Sequence, residues 1–121
     1  MAVTWRPEPA KHDFQAAEDY LSLIMSPNFA RMYRKRLSAP EAGLVHRKAK
    51  DILRASGLAL LAQDNKHVAS DLAKVRSGES LSPILLLRGD DPHPLVVADG
   101  YHRVCASYWL DENTDIPCVL V

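Results

Sequence analysis

Apolar residues recur at spacings of three and four over the first part of the chain. From about Lys11 to Met25, Phe14, Ala17, Leu21 and Ile24 fall on one side, which predicts an amphipathic helix. Ser26-Pro27-Asn28 stops it, and Ser26 or Asn28 supplies the N-cap of a second helix, about Asn28 to Leu37. That helix places Phe29, Met32, Tyr33 and Leu37 together. Ser38-Ala39-Pro40-Glu41 reads as a further cap with proline in the first turn. A third helix is expected from there to about Ala55, ending at Ser56-Gly57, where glycine suits a left-handed stop.

After Gly57 the pattern changes. Leu58–Leu61 is too short for a helix and predicts a first strand. His67 to Ser77 reads as a helix with Val68, Leu72 and Val75 inward and Gly78 ending it. Ile84–Leu87 is a continuous apolar run of the kind buried on both faces. Asp90-Asp-Pro-His-Pro94 is a turn signal, and Leu95–Ala98 the strand that follows it. From Asp99, the spacing of Tyr101, Val104, Cys105 and Tyr108 makes an inward helical stripe. A polar loop at 111–115 precedes a last strand, Ile116–Val121, in which Pro117 favours an edge or the first position. The plan is three helices, then strand–helix–strand–strand–helix–strand. That is an α+β chain, with a helical extension over 1–57 packed on a core over 58–121 as one structural domain.

With 121 residues, 47% apolar and 25% charged, the chain suits one folded domain rather than disorder. No apolar run approaches the roughly 20 residues of a membrane span, and the N-terminal residues lack the pattern of a secretory signal. The expected setting is therefore cytoplasmic, with no membrane partner. Cys105 and Cys118 make neither a disulfide framework nor a zinc site and are expected as buried thiols. The histidines 12, 46, 67 and 93 show no metal-ligand spacing and are expected in surface or cap roles. Formal charge is zero, yet the segment Arg31–Arg54 carries eight basic residues against Glu41 and Asp51. Such asymmetry marks either a solvated face or a surface for nucleic acid or an acidic protein.

The chemistry concentrates at the strand–turn–helix around Asp99–Arg103. Free N–H groups and the positive dipole end at a helix start favour an anion. Gly100 allows close backbone approach, and His102 and Arg103 stand in the first turn, where arginine offers donors matched to phosphate oxygens. Asp99 caps the helix or contacts Mg²⁺ beside a bound phosphate.

Pro83-Ile-Leu-Leu-Leu-Arg88, then Val96-Val-Ala-Asp-Gly-Tyr-His-Arg-Val-Cys-Ala106, then Ile116-Pro-Cys-Val-Leu120, resembles the core of the ParB/sulfiredoxin-like superfamily. The likeness is clearest over 81–121, plausible from about Leu58, and does not extend to 1–57. It implies a small mixed sheet with packed helices. It also implies a pocket for ATP, CTP or a related phosphorylated ligand, lined by Gly100, His102 and Arg103; Mg²⁺ beside an NTP phosphate rests on the Asp99 carboxylate, not on the resemblance. Arg88 falls where sulfiredoxin-like proteins carry a phosphate-contacting lysine. Two departures limit the carry-over. Tyr101 stands where sulfiredoxins place their catalytic cysteine, and no helix-turn-helix module of the partition proteins follows Val121 in the sequence. A nucleotide- or phosphate-binding module is the leading expectation. A non-catalytic adaptor, and a metal-assisted phosphoester hydrolase or nuclease with His102 as general acid, are the alternatives.

Overall fold

The run Ile84-Leu-Leu-Leu87 is apolar at every position because the strand it forms is covered on both sides. In the computed structural model, which describes residues 1–89 and 93–121, β2 (Ile84–Leu87) is buried throughout. Successive side chains of a strand point to opposite faces. Ile84 and Leu86 accordingly join one hydrophobic cluster and Leu85 and Leu87 another. The first cluster is closed by α3 (Ala49–Ser56), α4 (Lys66–Arg76) and α5 (Tyr101–Leu110), through Ile52, Val68, Leu72, Val104 and Cys105. The second is closed by α1 (Lys11–Leu21) and α2 (Pro27–Ser38), through Ala17, Leu21, Ala30 and Leu37. A four-stranded mixed sheet therefore lies between two helical layers, and the fold is a small α+β one, as expected.

The strand order is β1-β4-β2-β3, with β1 at Val45–Lys48, β3 at Val96–Asp99 and β4 at Asp115–Leu120. β4 runs parallel to β2 and antiparallel to β1, and β3 runs antiparallel to β2. Helix α5 makes the connection from β3 to β4.

Four sequence expectations are corrected. The third helix is only half present: a short 3₁₀ turn at Pro40–Ala42 precedes β1, and α3 begins at Ala49. All four β1 residues are exposed, so the strand shows no alternation and is held by pairing with β4 alone. Leu58–Leu61 forms no strand. It is an irregular strap whose leucines pack on the core, while Tyr101 Oη donates to the Ala59 carbonyl and Trp109 Nε1 to that of Leu61 at 2.7 Å. Pro117 lies in an inner strand. The parallel ladder with β2 starts at Ile84 opposite Cys118, so the missing N–H falls ahead of it. Fourth, the basic run does not lie on two helices alone: α2 and α3 lie in opposite layers, and Arg47 and Lys48 sit on β1 between them in sequence.

Ser26, not Asn28, caps α2, and Gly57 ends α3 in the left-handed conformation. The N-terminal lead-in pairs with the start of the β2 segment: Arg6 N–H donates to the Leu81 carbonyl at 2.8 Å and Leu81 N–H to that of Thr4 at 2.9 Å. The residues 90–92 of the expected turn lie outside the described ones. No described helix is long and apolar enough to cross a membrane.

Candidate functional site

β3 ends at Asp99 and α5 begins at Tyr101, so Gly100 alone makes the turn. Its φ is +110°, and a Cβ there would stand 2.4 Å from Ile84 Cγ2 and 2.8 Å from Ile84 Cβ. Glycine is required by this backbone and by contact with β2, before any ligand is considered.

Arg103 stands one turn into α5 with its side chain 13% exposed. Nη2 donates to Asp99 Oδ2 at 2.7 Å, and Nη1 to the Ser82 carbonyl at 2.8 Å and to Asp13 Oδ2 at 3.4 Å. Asp13 is itself buried in the first turn of α1, where Oδ2 also accepts from the Ala10 N–H at 3.2 Å. The guanidinium thus clamps α1, the entry to β2 and the end of β3. Asp99 does not cap α5: the N-cap is Gly100, and the carboxylate goes to Arg103. Burial pushes the Asp99 carboxyl up to about 6, with the Arg103 charge opposing the rise and the Asp13 carboxylate adding to it.

Beside the clamp opens a polar cleft of about 400 Å³. Gly100, His102 and Arg103 line it, joined by Arg6 from the N-terminal lead-in, by His12 and Asp13 from α1 and by His67, Asp71 and Lys74 from α4. The rings of His67 and His102 lie 4.8 Å apart. Burial and the neighbouring His67 lower the His102 pKa, against the pull of Asp71. Burial raises that of Asp71, opposed by Lys74, Arg103 and both histidines. Among the described residues no side chain or carbonyl accepts from the backbone N–H groups of Tyr101, His102 and Arg103, while Val104 N–H already bonds the Gly100 carbonyl. The helix start therefore keeps its open donors.

Of the residues singled out in the sequence, Asp99, Gly100, His102 and Arg103 come together. Arg88 does not. β2 and β3 are antiparallel, so the end of β2 lies beside the start of β3, and Arg88 lines a separate, mostly apolar cleft of about 580 Å³ with Arg47, Leu86 and Leu95. His67, Lys74, Asp71 and Arg6 were not singled out as site residues. His67 and Lys74 are seven apart, on one side of a helix that reads only as amphipathic, and no local signal aims that side at Gly100.

No three His, Cys, Asp or Glu side chains among the described residues are grouped to hold a metal ion. Cys105 and Cys118 are free and buried, as expected, and burial raises both thiol pKa values, that of Cys118 to about 11.

The fold and cleft define a small α+β domain with a polar recess at a strand-to-helix turn. Compared with models of known families, with curated proteins and with solved structures, the chain has no significant match.

Proposed function

We propose that this chain is a ParB/sulfiredoxin-like domain that binds a phosphorylated small molecule, a nucleotide foremost, in the cleft at the Asp99–Arg103 turn. The observation that carries the reading is that Gly100, His102 and Arg103, at the start of α5 with its unpaired N–H groups, line one cleft with Arg6, Lys74 and His67. The free N–H groups at the start of α5 donate to phosphate oxygens, and the helix dipole favours the charge. Lys74 and Arg6 supply balancing cations, and neutral His102 donates or accepts one further hydrogen bond. Arg103 is a positioning residue in this scheme, since Asp13 and Asp99 hold its guanidinium in place. A cleft of about 400 Å³ falls within the ordinary range for small-molecule sites. A reducing, cytoplasmic setting fits the two unpaired thiols.

The test is a thermal-shift and NMR titration with ATP, CTP, GTP, UTP and inorganic phosphate, with and without Mg²⁺, following phosphate release in parallel. Stabilisation by at least one ligand, lost in Lys74→Ala and His102→Ala, supports the reading. Absence of binding by all of them removes it. Arg103→Ala is a poor probe, because it breaks the clamp as well as the site.

A further inference from the structure

We propose that the α1–α2 hairpin is a docking surface for an acidic amphipathic helix of a partner protein. The inward side of this hairpin is fully used: Ala17, Leu21, Ala30 and Leu37 are buried against the sheet. A second apolar set is left outside. Tyr20, Leu23, Ile24, Phe29 and Met32 are all exposed, Leu23 to 82% and Phe29 to 58%, and they make up most of the exposed large apolar residues among those described. Exposed apolar residues gathered in one place, not scattered, mark an interaction surface.

Charge narrows the occupant. Between Tyr20 and Pro40 there are four basic residues, Arg31, Arg34, Lys35 and Arg36, and no acidic one, the exposed carboxylate of the hairpin being Asp19 at the end of α1. Glu18 reaches Arg34 at 3.7 Å, and among the described residues Arg31, Lys35 and Arg36 have no carboxylate partner. A second copy packed with α2 against α2 would bring like charges together. A nucleic-acid backbone would leave Leu23, Ile24 and Phe29 unmatched. An acidic helix with an apolar stripe satisfies both the basic and the apolar side chains. A recess of about 800 Å³ lies alongside, lined by Tyr20, Ile24, Tyr33 and Arg36 of the hairpin segment and by Leu87 and Val96 of the sheet. Such a recess suits a helix laid into a groove better than a flat lipid surface.

The experiment titrates the isotope-labelled full chain with three synthetic peptides and with phosphatidylserine vesicles. One peptide carries a leucine–phenylalanine stripe at helical spacing with glutamate elsewhere, the second replaces glutamate by lysine, and the third scrambles the first. The expected result is binding of the glutamate peptide alone, with shifted amide signals at Tyr20, Leu23, Ile24, Phe29 and Met32. Phe29→Ser with Met32→Ser, and separately Arg31→Glu with Lys35→Glu, weaken it by about tenfold or more. These positions are exposed, so both variants retain the fold, checked by their melting curves. Equal binding of the lysine or scrambled peptide, binding of vesicles alone, or no binding at all overturns the proposal.

Discussion

Asp13 and Arg103 stand 90 positions apart in the sequence and meet at 3.4 Å. One belongs to the α1–α2 layer and the other to the opposite layer, so their contact ties the two at the end of the sheet where β2 begins and β3 stops. Asp99, paired with the same guanidinium at 2.7 Å, completes the clamp.

Removing that guanidinium leaves two largely buried carboxylates without their cation. Arg103→Ala is expected to cost about 3–5 kcal/mol of stability, the range for breaking a buried ion pair from one side. Urea denaturation at neutral pH measures it. Because both partners belong to one network, Arg103→Ala combined with Asp99→Ala should cost less than the sum of the single changes. A loss below about 1 kcal/mol in the single variant would show that the clamp is not structural.

Gly100→Ala meets two obstacles, a φ of +110° and a Cβ at 2.4 Å from Ile84 Cγ2. A loss of at least about 1–3 kcal/mol follows from backbone strain alone, and overpacking adds to it. In the background of Ile84→Ala the same substitution should be less damaging but still unfavourable, since the strain and the contact with the remaining Cβ persist. Equal cost in both backgrounds would refute the clash.

Asp99 sets a pH dependence whose sign is opposite to that of an ordinary ion-paired carboxylate. Its folded pKa is raised from 3.8 to about 6. Between those values the native chain holds a proton that the unfolded chain has released, so stability falls as pH rises across that window and then levels. Asp71, also raised by burial, acts in the same direction. Asp99→Asn should flatten the dependence of the urea midpoint between about pH 4 and 6. An unchanged slope would mean that Asp99 is ionised throughout that range.

Both thiols should resist modification while the chain is folded. Cys105 and Cys118 have no exposed surface, and burial raises their pKa values, so the reactive thiolate is scarce. Ellman's reagent at pH 8 should label them at the opening rate of the native state and promptly in denaturant. Immediate labelling of native protein would contradict the packing of α5 on β4.

Much of the fold was legible wherever burial repeats with a period. Ile84–Leu87 appeared at its observed boundaries because both faces are covered, and the stripe Val104, Cys105 and Tyr108 marked α5. β1 was not legible. Val45-His-Arg-Lys48 buries nothing, and pairing with a strand some seventy residues later leaves no trace in local pattern. The same limit governed the site. Gly100, His102 and Arg103 are neighbours in sequence and were found together. Asp13 was not singled out, because nothing local distinguishes a first-turn carboxylate of α1 as the partner of Arg103. Arg88 was misplaced because strand direction, not sequence distance, decides which end of the sheet a residue occupies.

The alternation along β2 carries a consequence for inheritance. Substitutions near Leu85, Leu87, Ala98 or Val119 are felt by α1 and α2, whereas those near Ile84, Leu86, Ile116 or Cys118 are felt by α3, α4 and α5. Changes in separate groups should combine additively, and changes within a group should not. Each layer's packing is therefore free to drift at its own pace, except where His12 and Asp13 of α1 reach the cleft they share with α4 and α5. Asp13 and Arg103, which span the divide, are the pair least free to follow either layer alone.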